Sequence, residues 1–326
     1  MPLNYLKTAL LLGALTVIFV AMGGYVGGER GLAIAFAVAL VTNAFAYWKS
    51  DSLILRMQNA VEVDQRSGGQ YYEIVQQLAA RAELPVPRVY VMQSPLPNAF
   101  ATGRNPSHAA ICASTGLLDL LSPQEVAGVI GHELSHVKNR DTLTMTIAAT
   151  IGGAISMLAN WLQISVIFGS RTERSRTATF AAMLIAPLAA TVVQLAISRS
   201  REYQADRLGA MLCGNPAWLA SALLKINEAM RRNLDPAGVP TGAMARAMAH
   251  LFIISPLTGR GLDSLFASHP STENRVAELA KLAAEMGVAF DLDSIQRQRP
   301  GDLSQSTERA QTTGRPAAVR PRGPWS

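Results

Sequence analysis

Hydrophobic residues are concentrated in four long stretches of the chain, and none of these stretches contains Asp, Glu, Lys or Arg. A helix needs about 20 mostly apolar residues to cross the hydrocarbon core of a bilayer. The four stretches have lengths of 21, 18, 29 and 22 residues, at positions 8–28, 31–48, 142–170 and 177–198. The pattern therefore predicts about four transmembrane helices, arranged as one hairpin at residues 1–48 and another at residues 142–198.

The polar segments carry the pattern of a small α+β domain. Apolar residues recur at helical spacing over Tyr71–Ala82. Clusters of Pro, Asn, Gly and Ser separate three short β-like runs and predict a small antiparallel sheet, with strands at Arg88–Met92, Ala99–Thr102 and Ala109–Ala113. Ser122, followed by Pro123 and Glu125, is typical of a helix start with a capping box. The helix predicted from Ser122 runs past His136.

Composition and charge narrow the classes of function. Only 16% of the residues are charged, whereas a soluble domain has about a quarter. The two cysteines have no partner at metal-ligand spacing, and no disulfide framework is predicted. The net charge is +6, but residues 297–326 hold six Arg against two acidic residues. Without this tail the balance is nearly neutral, so no nucleic-acid partner is predicted.

The distribution of basic residues predicts the orientation in the membrane. With four crossings, residues 49–141 and everything after residue 199 share one side, where eight basic residues lie near the helix ends. The other side has four, and the positive-inside rule places the larger set in the cytoplasm. Residues 49–141 and 199–296 are therefore predicted to form two parts of one cytoplasmic domain. The Pro- and Arg-rich residues 297–326 lack periodicity and are predicted to be disordered.

A metal-binding motif lies in the helix predicted from Ser122. His132 and His136 are four residues apart, so they share one helical face and their ring nitrogens can bind one Zn²⁺. Glu133, beside the first histidine, is placed to act as a general base. The sequence thus predicts a catalytic zinc site with one ion per chain. The ordinary alternative is a pair of surface histidines.

A catalytic zinc site needs a third protein ligand. Glu202 is 66 positions beyond His136, but a transmembrane hairpin between them would return the chain to the same membrane surface. This topology favours Glu202 as the third ligand, with Asp206 one helical turn further on to orient a ligating histidine. Asp141 is the weaker option as a ligand. The ordinary alternative for Glu202 is a solvated helix face, with Glu202 paired with Arg199 or Arg201.

Three segments together resemble the HtpX group of bacterial membrane zinc endopeptidases, which is related to the CAAX prenyl proteases. They are Gly131–Thr146, Ser198–Ala210 and Leu265–Val276, and Pro97–Gly103 is similar to a further motif of the group. The resemblance implies a mainly α membrane protein with a zincin-like α+β catalytic domain. It implies His132, His136 and Glu202 as zinc ligands and Glu133 as catalytic base. Two departures are the basic tail, which lies outside the family core, and Ser271, which stands where a second Pro is common.

The resemblance also implies a role. It indicates a peptidase in the bacterial inner membrane that disposes of misfolded or damaged membrane proteins, with unfolded or membrane protein substrates and the lipid bilayer as partners. The sequence does not indicate an oligomeric state. One alternative is a non-proteolytic scaffold or transporter with a structural zinc, against which Glu133 argues because such a site needs no base. Another is a processing protease for one defined substrate.

A predicted edge strand carries candidate substrate-binding residues. The sequence Asn-Ala-aromatic at a sheet edge resembles the substrate-binding strand of thermolysin-like proteases. An edge strand offers backbone N–H and C=O groups to which an extended peptide can add as a new strand. The candidate residues are Asn98, Ala99, Phe100 and Ala101. The ordinary alternative is a hairpin edge without a ligand.

A later segment supplies two more candidates. His269 precedes Pro270, and the resemblance places it near the zinc cleft. It is expected either to donate to the oxyanion or to occupy the open zinc position and hold the enzyme inactive. The ordinary alternative is a structural loop histidine. Arg275 is expected to hold this loop through a carboxylate such as that of Asp206.

Overall fold

The computed structural model describes residues 2–147, 199–233, 253 and 270–293. These residues fall into two compact units. One unit contains residues 2–54 and 143–147, and the other contains residues 55–142, 199–233, 253 and 270–293. Most of the second predicted transmembrane hairpin, as well as His269 and the basic tail, lies outside the described residues.

The first two hydrophobic stretches form a helical hairpin. Helix α1 spans Pro2–Met57 and is interrupted at Gly28, whose backbone has φ 56° and ψ −142°. A Cβ atom on Gly23 would lie 2.3 Å from the Cβ atom of Ala35, so the two arms approach closely because Gly23 has no side chain. The arms are also joined by the side-chain amide of Asn43, which donates to the hydroxyl of Thr16 at 2.8 Å.

One helical stretch in the described part of the chain has the length and apolar composition needed to cross a membrane. It is the second arm of α1, Gly28–Lys49, with a mean hydropathy of 1.7 over its most apolar window. Its large apolar side chains are mostly exposed, including Ile34 and Val41.

The sheet is mixed, which corrects the prediction of an antiparallel sheet. Its strands are β1 (Val61–Val63), β2 (Arg88–Met92), β3 (Ala99–Gly103) and β4 (Ala109–Ser114), in the spatial order β1-β2-β4-β3. Strands β3 and β4 form an antiparallel hairpin around a short 3₁₀ turn, whereas β2 and β4 are parallel. After β2 the chain carries β3 past the position of β4 to the far edge of the sheet.

Further helices of the described chain accompany the hairpin and the sheet. They include α2 (Gly69–Arg81), α3 (Thr115–Leu120), α4 (Pro123–Lys138), α5 (Arg199–Cys213), α6 (Pro216–Asn233) and α7 (Thr272–Met286). The core of the second unit lies between one face of the sheet and helices α2, α4, α5 and α6, with fully buried residues such as Ile111, Ile130 and Leu223. Helix α4 lies at the centre of this core, and 13 of its 16 residues are buried.

Helix α4 begins with the predicted capping box. The backbone N–H of Ser122 donates to the Glu125 carboxylate at 2.8 Å, and the Ser122 hydroxyl accepts from the N–H of Glu125. Glu125 is fully buried and also accepts from the hydroxyl of Ser221 at 2.6 Å and from the ammonium group of Lys225. The capping residue therefore anchors the start of α4 to helix α6, which fixes the axis of the helix that carries the histidines.

Helices α4 and α5 contact each other backbone to backbone. A Cβ atom on Gly209 would lie 2.5 Å from the backbone nitrogen of His132, and one on Gly131 would lie 2.7 Å from the carbonyl oxygen of Gly209. Ordinary Cβ contacts begin at 3.4 Å. Glycine at both positions therefore permits an approach that no other residue allows, next to the first histidine of the motif.

Candidate metal centre

Two histidines of α4 and one glutamate of α5 converge in the interior of the second unit. The Nε2 atoms of His132 and His136 lie 3.2 Å apart, and carboxylate oxygens of Glu202 lie 3.8 Å and 3.7 Å from them. At bond lengths of about 2.0–2.1 Å, tetrahedral zinc ligands lie about 3.3 Å apart. All three residues are buried, and they form the His-His-Glu set found in catalytic zinc sites.

The other ring nitrogen of each histidine faces a carboxylate. His132 Nδ1 lies 2.9 Å from Asp206, and His136 Nδ1 lies 3.4 Å from Asp141. An Nδ1–H that donates to a carboxylate leaves the lone pair on Nε2. Both rings thus direct their Nε2 atoms toward Glu202, as a shared cation requires.

Buried carboxylates surround the two histidines and favour a bound cation. In the described part of the chain, four buried carboxylates surround the rings: Glu133, Asp141, Glu202 and Asp206. Two guanidinium groups, of Arg201 and Arg275, pair with them. Buried charge is costly unless it is paired or binds metal, so a cation held by Glu202 and the two histidines would be stabilised by these carboxylates. The donor set therefore fits Zn²⁺ in ligand type as well as in distance.

The pKa values of the two histidines identify where positive charge is favoured. Burial would lower the pKa of His136, but the carboxylates of Asp141, Glu202 and Glu133 outweigh it and raise the pKa to about 9. Burial lowers the pKa of His132 in spite of the adjacent Asp206. Without a metal ion, the cluster therefore holds a proton on His136, at the position that a zinc ion would take.

A family comparison agrees with this geometry. The model of peptidase family M48 matches residues 66–283, a range that includes the histidines, Glu133, Glu202 and Asp206. The chain belongs to peptidase family M48. This is a family of zinc metallopeptidases, so the predicted family and enzyme class are confirmed.

Similarity also extends to a solved structure. The crystal structure of Ste24p from S. mikatae aligns over 85% of this chain with 19% sequence identity and a TM-score of 0.47. The alignment covers 64% of Ste24p, so the chain spans less than two thirds of the length of that protein.

Glu133 lies beside the candidate metal ligands and is held by the edge strand. Its carboxylate accepts the backbone N–H of Ala101 at 2.8 Å, and the residue is only 6% exposed. Burial is the main cause that raises the pKa of Glu133, to about 7, and the negative charge of Glu202 adds to it. A carboxyl group with a pKa near neutrality can both accept and return a proton, which suits a general base.

Strand β3, which contains three of the four predicted substrate-binding residues and directly follows the fourth, Asn98, is at one edge of the sheet formed by the described residues. The N–H of Ser114 donates to the carbonyl oxygen of Asn98 at 2.8 Å, so Asn98 faces β4. Backbone groups alternate in direction along an antiparallel pair, which turns those of Ala99 and Ala101 away from β4 and those of Phe100 toward it. The contact of Ala101 with Glu133 agrees with this alternation.

The side chain of Asn98 has a partner of its own. Its Oδ1 atom accepts the backbone N–H of Ile253 at 3.3 Å. The carbonyl oxygen of Ile253 in turn accepts from the guanidinium group of Arg275 at 2.9 Å. The side chains of Asn98 and Arg275 thus bind the N–H and the C=O group of the same residue, Ile253.

Arg275 is 1% exposed and forms a bidentate ion pair with Asp206, with N–O distances of 2.7 and 2.6 Å. Burial would raise the pKa of Asp206, but the Arg275 charge and its hydrogen bonds hold it below the usual range. Asp206 is therefore a carboxylate when it accepts from His132. The expected role of His269 stays a prediction because that residue lies outside the described part of the chain.

Two features of the site were not predicted from the sequence. One is the contact of Asp141 with His136, since the sequence suggests Asp141 only as a ligand. The other is the glycine pair, Gly131 and Gly209, that brings α4 and α5 together. A signal for the second was present, because Gly131 directly precedes the motif and Gly209 lies two turns beyond Glu202 on the ligand helix.

Proposed function

We propose that this chain is a membrane-bound, zinc-dependent endopeptidase. The observation that carries the proposal is the convergence of His132, His136 and Glu202 beside a buried carboxylate, Glu133, that is not needed as a ligand. A structural zinc site is closed by its ligands and needs no base. The additional carboxylate favours catalysis over a scaffold.

The residues divide the chemistry among them. His132, His136 and Glu202 would hold the ion, which when bound supplies Lewis acidity toward water and the scissile carbonyl group. Glu133 takes a proton from the attacking water and returns it to the leaving amine. The N–H of Ala101 restrains one oxygen of Glu133 and leaves the other for proton transfer.

The edge strand indicates how a substrate would bind. The backbone groups of Ala99 and the carbonyl group of Ala101, which face away from β4, can pair with an extended peptide, while the N–H of Ala101 holds Glu133 alongside it. Backbone hydrogen bonds do not depend on the side chains of the peptide, so this mode of binding suits unfolded segments of varied sequence. We therefore propose misfolded or damaged membrane proteins as substrates, in line with the HtpX resemblance.

The location follows from the hydrophobic stretches. We propose a multi-pass protein of the bacterial inner membrane, with the catalytic domain on the cytoplasmic side. Support comes from the four uncharged stretches, from the hairpin of α1 and from the excess of basic residues on the predicted cytoplasmic side.

The test separates the base from the ligands. In Glu133→Gln the amide oxygen can still accept the N–H of Ala101, so we expect full zinc content, an unchanged melting temperature and no cleavage of an unfolded protein in detergent. His136→Ala and Glu202→Ala should lose zinc. Cleavage by Glu133→Gln at the wild-type rate would refute the mechanism. Unchanged zinc affinity in Glu202→Ala would refute the ligand assignment.

A cellular comparison tests the substrate class. Membrane proteomes of cells that express the wild-type chain or Glu133→Gln should differ in many proteins, most clearly under conditions that damage membrane proteins. If a single protein accumulates in the variant, the chain is a processing protease for a defined substrate.

A further inference from the structure

The chain reverses direction directly after α4 and brings Asp141 back onto His136. Arg140 adopts a left-handed conformation with φ 59°. Its N–H donates to the carbonyl oxygen of Val137, and the N–H of Asp141 donates to that of His136 at 2.9 Å. These two bonds form a Schellman motif, which usually has glycine where Arg140 stands. A side chain in this conformation costs about 1–2 kcal/mol, so the position of Asp141 is maintained against a local cost.

Asp141 contacts a ligand ring and a cation with its two oxygens. One oxygen lies 3.4 Å from His136 Nδ1, and the other accepts from the guanidinium group of Arg201 at 3.2 Å. Asp141 is 2% exposed. A buried carboxylate that is paired with a guanidinium group therefore faces the ring on the side opposite Glu202.

Arg201 connects this contact to the other ligand helix. It lies on α5 and directly precedes Glu202 in the chain. The Asp141–Arg201 pair thus joins the end of α4 to the start of α5, beside the ligands of both. Five residues along α5, Asp206 makes a corresponding link to His132 and is itself held by Arg275. Each histidine therefore faces a carboxylate that is paired with an arginine.

We propose that Asp141 and Arg201 are positioning residues of the metal centre. Asp141 orients the His136 ring through Nδ1, and Arg201 holds Asp141 and fixes the register of α5 that brings Glu202 to the ion. This inference rests on the proposed function, because it assigns the two residues to the zinc ion proposed there. It also gives Asp141 a role other than ligand, since its oxygens face Nδ1 and Glu202 faces Nε2.

The experiment measures zinc binding by the full-length chain in detergent, by competition with a chromophoric chelator. Loss of a carboxylate that supports a ligating histidine weakens zinc binding by about 10–100-fold, and we expect this for Asp141→Ala. Asp141→Asn keeps an acceptor but not the charge and should show an intermediate loss. Arg201→Gln should lose less than Asp141→Ala. Because Arg201 acts largely through Asp141, the double variant should lose less than the product of the two single effects.

A matched control comes from the same helix. Arg207 forms an ion pair with Glu285, but both side chains are more than half exposed. Arg207→Gln removes one guanidinium group from α5 away from the ligands, so its zinc affinity should equal that of the wild type. Co²⁺ replaces zinc and reports ligand geometry through its visible absorption. The spectrum should change in Asp141→Ala and stay unchanged in Arg207→Gln.

The outcomes are distinguishable from failure of the proposed function. Wild-type zinc affinity and Co²⁺ spectrum in Asp141→Ala would overturn the positioning role, even if the variant melts at a lower temperature. A wild-type chain that binds neither ion would overturn the proposed function, and this inference with it. Weaker zinc binding without a lower melting temperature of the metal-free chain would support a role in positioning.

Discussion

The glycine contact between α4 and α5 predicts that a single methyl group weakens the metal site. In Gly209→Ala the new Cβ atom would lie 2.5 Å from the backbone nitrogen of His132, where ordinary contacts begin at 3.4 Å. The helices must therefore separate by about 0.9 Å at this point. Zinc sites tolerate deviations of about 0.2 Å in ligand distance. A displacement several times larger should pull Glu202 away from the two histidines.

The energetic effect on folding is expected to be small by comparison. Overpacking costs about 1–3 kcal/mol, and replacing glycine by alanine within a helix recovers up to about 1 kcal/mol. The free energy of unfolding of the metal-free chain should therefore fall by about 0–2 kcal/mol. The zinc affinity should fall at least tenfold. Chemical denaturation and chelator competition measure the two quantities separately.

Gly128, on helix α4, offers a matched control. A Cβ atom there would lie 2.7 Å from the backbone nitrogen of Leu219, so Gly128→Ala creates a similar clash, but between α4 and α6. Its stability should fall by a similar amount, while zinc affinity stays close to the wild-type value. Equal zinc affinities of Gly209→Ala and the wild type would refute the reasoning. So would an equal loss in both variants.

Three further predictions concern the edge strand, the turn after α4 and the metal itself. Ala101→Pro removes the N–H that restrains Glu133. Since a hydrogen bond to a charged group contributes about 1.5–3 kcal/mol, kcat should fall about tenfold or more while zinc is retained. An unchanged kcat would contradict this role. Arg140→Gly removes a side chain from a residue whose backbone is left-handed. The free energy of unfolding, measured by denaturant titration, should rise by up to about 1 kcal/mol. A large decrease would show that the Arg140 side chain stabilises the turn. The pKa of His136 is raised to about 9 without metal, so below that pH zinc must displace a proton from His136. The apparent zinc affinity should therefore rise with pH up to about 9. An affinity that does not change between pH 6 and 9 would show that His136 is neutral in the metal-free chain.

Local sequence patterns predict the helices and strands of the second unit. The contacts between elements that are distant in the chain could not be predicted from such patterns. The capping box at Ser122 and the spacing of the histidines are contained within one helix, so the sequence was sufficient to place them. The parallel pairing of β2 with β4 depends on where the chain crosses after Pro97, and no local pattern encodes it. Asp141 is a similar case, because it reaches His136 only through a left-handed Arg140, where the sequence offers no glycine to signal the turn.

The wide separation of the ligands along the chain gives the enzyme an order of assembly during its own synthesis. Glu202 follows His136 by 66 positions, and Arg275 follows Glu202 by 73. At about 5–20 residues per second, a ribosome adds the 66 residues in roughly 3–13 s. The nascent chain therefore has both histidines and Glu133 several seconds before it has Glu202, the proposed third ligand. The intervening hydrophobic stretches, which we propose to span the bilayer, have that interval in which to insert before the proposed metal site is complete.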